Sequence, residues 1–281
     1  MRRTVPKPLP PEVDAAITEY YHRAPEEERL QQGPFVLEEL RTREMIERFA
    51  RRPPATVLDV GGAAGAYALW LADAGYTVHL VDAAPRLVVE AERRSTAHKR
   101  QLASCRVGDA RALDFADRIA DIVLLLGPLY HLTDAGDRSR ALGEARRVLK
   151  PGGRLFAAGI SRFASALDGL SRDLLQDPQF AAIVERDLLE GQHRNPTGRL
   201  DYFTTAYFHH PDELRAEVSD AGLTFEGLYG LEGPGWLFPD IEARVADPVR
   251  RADLLHVARL LEAEPSLIGS SAHLLVVARK P

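Results

Sequence analysis

Residues 55–82 read Ala-Thr-Val-Leu-Asp-Val-Gly-Gly-Ala-Ala-Gly-Ala-Tyr-Ala-Leu-Trp-Leu-Ala-Asp-Ala-Gly-Tyr-Thr-Val-His-Leu-Val-Asp. Ala55 to Val60 is a short apolar run of the kind that forms a strand buried on both faces. Gly61 to Gly65 make a tight turn, because glycine lets the chain bend and come close to a neighbour without a side-chain clash. Ala66 to Ala74 then read as a helix closed by Gly75, and Thr77 to Val81 as a second strand ending at Asp82. Outward from this unit the same alternation repeats. Pro85 opens a helix to about Arg94, as proline suits a first helical turn. Leu102 to Val107 and Asp121 to Leu126 are the third and fourth strands. Asp137 to Leu149 is a helix, and Lys150-Pro151-Gly152-Gly153 turns into a fifth strand, Arg154 to Ile160. Strands alternating with helices at this spacing predict an α/β fold, a parallel sheet with helices on both faces.

The flanks read differently. Four prolines among the first eleven residues forbid helix and ladder alike. Val13, Ile17, Tyr20 and Tyr21 then share one helical face, and a second helix is predicted from Phe35 to Ala50. Residues 161–210 are helical and loop-like with a polar-aromatic end. Asp212 to Ala221 is a helix capped by Gly222, and Leu223 to Tyr229 a sixth strand. Residues 231–271 hold two helical segments, and Ala272 to Ala278 is a seventh strand. The expected organisation is an N-terminal arm with cap helices (1–52) and a core (53–281) with lid insertions at about 161–210 and 231–271.

Composition narrows the function. The chain has 281 residues, 45% hydrophobic and 27% charged, with a formal net charge of −5 and a single cysteine. Such a balance suits a globular protein with a large core. An acidic chain has no global positive field for nucleic acid or an anionic membrane, and its paired arginines are dispersed. Cys105 cannot make an internal disulfide or seed a Cys/His metal cluster, so no metal is expected. It falls in the third strand as a small core residue. The two N-terminal arginines precede no apolar stretch, so no signal peptide or spanning helix is expected and the cytoplasm is the expected location. The oligomeric state is left open, since the N-terminal arm can cover its own site or a neighbour's.

In an open parallel sheet, ligands bind beyond the carboxyl ends of the strands. After the first strand come Asp59, Gly61, Gly62, Ala63 and Gly65; after the second, Asp82 and Ala83, an acid placed to accept both ribose hydroxyls of an adenosine. After the third come Asp109 and Ala110, where a carboxylate can meet an adenine amino group. After the fourth come Leu126 and Gly127, then Tyr130 and His131. Singly, each has a plain alternative: a strand-to-helix connection, a helix cap, an acid in a turn, a packed histidine.

Together these segments resemble the class I S-adenosylmethionine-dependent methyltransferases. The likeness rests on Asp59, Gly61 and Gly65 of the family's first motif, with Ala63 at its middle glycine, and on Asp82 and Asp109. It also rests on the Val148–Leu155 turn and the His209–Leu223 segment, and it covers residues 55 to 160 most strongly. The resemblance implies a doubly wound, seven-stranded, mostly parallel sheet whose last strand is antiparallel. It implies S-adenosyl-L-methionine as cofactor, bound by the strand-end residues above. Tyr21 and Arg29, and more weakly Arg41, are candidates for the cofactor's amino-acid end, with an ordinary helix-face tyrosine and surface arginines as the alternative. The implied activity is methyl transfer to a nitrogen or oxygen of a small molecule. The cofactor's sulfonium already activates the methyl group, so proximity and orientation carry most of the rate. His131 and His193 are the candidate acid–base groups. Tyr20, Tyr130, Tyr202, Tyr207 and Trp236 are candidate acceptor walls. Two rival functions stand. A nicotinamide-dependent oxidoreductase shares the sheet, but residues 61–66 lack two of its three fingerprint glycines. A non-catalytic cofactor-binding protein with the same fold is the other.

Overall fold

The computed structural model describes residues 14–24 and 29–281. The proline-rich start and Val13 lie outside them. The centre is the sheet of β1 (Thr56–Val60), β2 (Thr77–Asp82), β3 (Ser104–Val107), β4 (Ala120–Leu125) and β5 (Leu149–Ser161), all parallel in the order β3-β2-β1-β4-β5. Along β5, from Arg154 to Ile160, the sheet is continued by β9 (His273–Arg279), which runs antiparallel to both β5 and β8 (Thr224–Gly230). Strand order reverses between β1 and β4, and the chain leaves these two strands in opposite directions. That opens a crevice above their carboxyl ends.

Alternating residues feed two cores. Leu58, Val60, Val123, Leu125 and Leu155 face α6 (Ala135–Val148) and α9 (Pro211–Asp220), meeting Ala141, Leu142, Leu214 and Val218. Val57, Leu80, Leu124 and Phe156 face the other way, toward α3 (Ala66–Asp73), α4 (Pro85–Ala97) and α2 (Phe35–Phe49), meeting Leu71, Ala91, Met45 and Ile46. Every residue of β4 is buried. This explains why its sequence is uniformly apolar after Asp121 and not alternating: both faces are covered.

Most elements lie where the periodicity places them, and three differences matter. The third strand begins at Ser104, not Leu102, and its Cys105 is half-buried against the core rather than inside it. The fifth strand begins at Leu149, because Leu149 already pairs with Ala120 across an irregularity in the ladder. Among the described residues the sheet also has nine strands. The insertion after β5 carries α7 (Ala164–Ser171) and α8 (Pro178–Glu190), and then an unexpected hairpin, β6 (Gln192–His193) and β7 (Ala206–His209). β7 pairs in parallel with the tip of β5, Ile160 with Phe208 and Ser161 with His209. β9 holds the other edge of β5 there, so β7 occupies the edge that β4 vacates after Leu125.

The N-terminal α1 (Ala15–Arg23) is capped by the Asp14 carboxylate, which accepts from Ala16 N at 2.8 Å. It is tied to the body at two points. Arg86 donates to the Tyr21 carbonyl at 2.9 Å, and the Thr204 hydroxyl donates to the Ala16 carbonyl at 3.1 Å. After β8, α10 (Ile241–Ala246) and α11 (Pro248–Leu261) pack beside α2. Among the described residues no helix is long and apolar enough to cross a membrane.

Candidate active site

A cavity of about 780 Å³ lies at the carboxyl ends of β1, β2 and β4, with α1 on one side and the α3 N-terminus on the other. Its floor is the glycine turn. Gly61 has a φ of +73°, and a Cβ there would stand 2.6 Å from the Pro128 ring; a Cβ on Gly62 would stand 2.8 Å from Asp59 Oδ2. Both positions therefore need glycine, and the turn is a cradle in which bare backbone faces the cavity. Ala63 adopts φ +46°, a left-handed conformation that costs a residue with a Cβ about 1–2 kcal/mol. Gly65, at φ +87°, starts α3 and does not line the cavity.

Two carboxylates flank the turn. Asp82 accepts the Ala63 N–H on one oxygen and the Ala84 N–H on the other, both at 2.8 Å, and burial pushes its pKa up. Asp59 is pushed up to about 7, first by burial and then by the charge of Asp82. Its Oδ2 is buried without a hydrogen-bond partner. An orphaned carboxylate oxygen beneath a bare-backbone cradle fits a ligand that brings a donor or positive charge. Asp109 also lines the cavity, but Arg111 grips it, through Nε at 2.9 Å and Nη2 at 2.6 Å, while reaching Asp137 at 2.8 Å. Ala83, Ala110, Leu126 and Gly127 complete the strand-end lining. Arg29 lines the cavity beside Glu38, donating to its carboxylate at 2.7 Å. Burial opposes the Glu38 charge, but Arg29 and His273 outweigh it and hold the pKa below its usual value.

Beyond β4 the one-turn helix α5 (Pro128–His131) presents Tyr130 and His131 to the cavity. His131 Nε2 lies 2.7 Å from the Tyr21 hydroxyl on α1, and Nδ1 lies 3.4 Å from the Thr205 carbonyl. Burial pulls the His131 pKa down to about 4, so the imidazole is neutral at physiological pH. The carboxylates, the turn and the histidine thus share one volume, at the place where open α/β sheets hold nucleotides.

Known proteins agree with this geometry. The family described as "Methyltransferase domain" matches residues 58–157, the stretch from the glycine turn to β5. Residues 58–157 are a class I S-adenosylmethionine-dependent methyltransferase domain. S-adenosyl-L-methionine is the cofactor of such a domain. The ubiquinone/menaquinone biosynthesis C-methyltransferase UbiE of Acidiphilium cryptum is 36% identical over 126 residues, covering 44% of this chain and 49% of that protein. The UbiE of Paracoccus denitrificans is 36% identical over 121 residues, 42% of this chain and 47% of that protein. The chain therefore spans about half the length of the curated relatives it matches. A SAM-dependent methyltransferase structure from Methanosarcina mazei superposes with a TM-score of 0.57 at 20% identity, over 84% of this chain and 96% of that one. The [4+2]-cyclase SpnF superposes with a TM-score of 0.55 at 19% identity, over 85% and 80%. At these identities the structures speak for the fold alone.

The methyltransferase domain takes its cavity walls from places the aromatic count did not indicate. No residue of 161–210 or 231–271 is among the described residues lining the cavity, so the structure does not bring His193, Tyr202, Tyr207 or Trp236 to it. His193 is buried with both ring nitrogens engaged, Nδ1 with Asp187 at 2.8 Å and Nε2 with the Tyr202 carbonyl at 2.8 Å, while its ring stacks on Phe208. It has no nitrogen left for acid–base work and holds the insertion together. Tyr202 packs on Phe180 and donates to Asp177. Tyr207 donates to Glu213 and lies under the Arg138 guanidinium, 3.8 Å from the ring centre. Trp236 donates to the Ser270 carbonyl at 2.9 Å. Tyr20 stands just behind the wall, edge-on to Tyr21 and Phe203. Arg41 is fully buried and paired with Glu44 and Glu262, away from the cavity. Tyr21 lines the cavity and its hydroxyl pairs with His131. Glu38, Arg86 and Arg111 were not anticipated; Arg111, two residues after Asp109, was the one with a local signal, because that spacing lets the guanidinium fold back on the acid.

Proposed function

We propose that this protein transfers the methyl group of S-adenosyl-L-methionine to a nitrogen or oxygen of a small molecule. The observation that carries the reading is the single cavity that joins the glycine turn, Asp59 and Asp82 to His131. Asp82 would hold the ribose hydroxyls, the Gly61–Ala63 backbone would face the amino-acid portion beside Asp59 and Arg29, and Asp109 and Ala110 would border the base. When bound, S-adenosyl-L-methionine supplies an electrophilic methyl group that needs no further activation. The chain's own work is to align the acceptor, exclude water and take up its proton. The cover over the acceptor is assigned to α1 of the N-terminal segment, which lies beside the cavity. The insertions at about 161–210 and 231–271 are assigned a supporting role behind it. A small acceptor rather than nucleic acid is supported by the net charge of −5.

Transfer to carbon is the second reading, favoured by the relatives named as C-methyltransferases. The non-catalytic alternative is kept in view because a [4+2]-cyclase shares the fold. Titration calorimetry tests the proposal. S-adenosyl-L-methionine is expected to bind at micromolar levels. Asp82→Ala is expected to lose about 100-fold or more, since two hydrogen bonds to a charged acceptor are worth roughly 1.5–3 kcal/mol each. Absence of heat with both the cofactor and its demethylated product would sink the reading, and a thermal-shift response to NADH instead would favour the oxidoreductase.

A further inference from the structure

A second cleft lies at the other pole of the sheet. It measures about 310 Å³, sits at the amino ends of β1 and β4, and is bordered by Arg51, Asp121, Lys150, Arg154 and the Pro151–Gly153 turn. The turn closes tightly there: a Cβ on Gly153 would stand 2.9 Å from the Lys150 carbonyl oxygen and 3.0 Å from that of Asp121, where the β4–β5 ladder is irregular. The Asp121 carboxylate is fully used. Its Oδ1 accepts from Arg51 at 3.3 Å, and its Oδ2 from Thr56 N at 2.9 Å and from Lys150 Nζ at 2.7 Å. Burial opposes its charge, but Lys150, the Thr56 N–H and Arg51 outweigh burial and hold its pKa below the usual value. Glu226 is likewise shared, between Arg154 at 2.7 Å and Arg279 at 3.3 Å. Two carboxylates thus face four cations, an excess of two positive charges. The surroundings add to it. Burial pulls the Lys280 pKa down, and so do the like charges of Arg118, Arg146 and Arg147, against the opposing charge of Asp117.

Part of this charge serves the helices that end at the same pole. Lys280 Nζ donates to the Arg147 and Leu149 carbonyls at the end of α6, and Arg154 to the Phe49 carbonyl at the end of α2. Arg51 and Lys150 cap no helix among the described residues. The Arg51 side chain is 70% exposed and spends one Nη on Asp121, so the rest of its five-donor fork is open to a ligand in the cleft. The cavity at the carboxyl ends has the opposite sign, since carboxylates outnumber arginines among its described lining residues. We propose that the cleft bordered by Arg51, Lys150 and Arg154 binds a phosphate-bearing ligand, with the phosphoryl group between Arg51 and Lys150. A planar arginine fork offers two phosphate oxygens parallel hydrogen bonds, and the lysine beside it adds a compact charge. An excess of two positive charges matches a phosphate monoester better than a single carboxylate. The volume is at the low end for small-ligand sites and suits a phosphoryl group with a few atoms of its carrier. None of these residues lines the cavity at the carboxyl ends, so the assignment stands or falls apart from the methyl-transfer reading.

Titration calorimetry of the full chain with inorganic pyrophosphate tests this. Saturable binding is expected with a dissociation constant of about 1 mM or below, the scale of two or three charge-assisted hydrogen bonds. Arg51→Gln and Lys150→Gln should each weaken it about tenfold. The Arg51 variant should keep the wild-type thermal midpoint, because its side chain is largely in solvent. Arg172→Gln, which removes the same charge beside α7 at the carboxyl pole, should change the affinity by less than about twofold, since remote exposed charges are screened. Saturating demethylated cofactor should leave pyrophosphate binding unchanged. A second arm uses phosphatidylcholine vesicles with and without phosphatidate. Saturation by pyrophosphate identifies a free phosphate compound as the ligand; binding only to the phosphatidate vesicles, with the same loss in Arg51→Gln, identifies a lipid headgroup as the source of the same chemistry. No saturation in either arm overturns the site. An Arg172→Gln loss as large as that of Arg51→Gln overturns it in favour of a diffuse field, and competition by the demethylated cofactor overturns it by moving the anion to the glycine turn.

Discussion

Asp59→Asn should make the cofactor-free protein more stable at alkaline pH while weakening its ligand binding. In the folded chain Asp59 is raised from 3.8 to about 7, by burial first and by Asp82 second. An acid with a raised folded pKa binds more protons folded than unfolded, so stability falls as pH rises. Its contribution is intact below about pH 4, is lost progressively through the window up to about pH 7, and is absent above it. About three units at roughly 1.4 kcal/mol each give a penalty of order 4 kcal/mol. The orphaned Oδ2 is the structural cause: nothing in the folded chain replaces the water that solvates it when unfolded. Urea unfolding of wild type and Asp59→Asn from pH 4 to pH 8.5 isolates the effect, since other titrations cancel in the difference. Wild type should lose about 3–4 kcal/mol relative to Asp59→Asn across that range. The variant should also bind S-adenosyl-L-methionine at least about 10-fold more weakly. A difference that stays flat with pH would refute the claim that Asp59 is a strained, ligand-facing carboxylate.

Further outcomes follow from single residues. Ala63→Gly should raise stability by about 0.5–1 kcal/mol by urea unfolding, as relief of the left-handed strain exceeds glycine's greater unfolded freedom. His273 is half-buried between Glu38 and Glu232; desolvation opposes its charge, but the two carboxylates outweigh it and raise its pKa. The stability it provides is therefore fully present below its usual value of 6.5 and lost as pH rises through the raised one; the deficit of His273→Gln should shrink between pH 6 and pH 9. Arg41→Met removes one of the two arginines that hold Glu262, leaving Arg48, and should cost about 1.5–3 kcal/mol, the worth of a hydrogen bond to a charged group. Leu124→Ala, at a fully buried position of β4, should cost about 2–5 kcal/mol, read as a lower denaturation midpoint at constant slope.

The half of the cavity proposed for the cofactor was legible because its signals are local. Asp59, Gly61, Gly62 and Asp82 sit at strand ends, and a strand, a turn and a helix within thirty residues dictate where those residues point. The acceptor half was not. Composition pointed to Tyr202, Tyr207 and His193 as walls, since aromatic and imidazole groups concentrate there. Their hydrogen bonds to Asp177, Glu213 and Asp187 turn them inward to hold the insertion together. An aromatic count cannot tell a wall from a strut, because both need the same residue types.

By itself the sequence determined the alternating sheet, the crevice at β1 and β4 and the chemistry of its glycine turn, because these follow from hydrophobic period, backbone freedom and the position of acids a few residues away. Only the tertiary structure decided that α1 closes on α5, that β7 takes the edge β4 leaves, and that Tyr21 meets a histidine 110 positions along the chain. Such partners are chosen by packing between elements distant in sequence, and neither periodicity nor spacing carries that information.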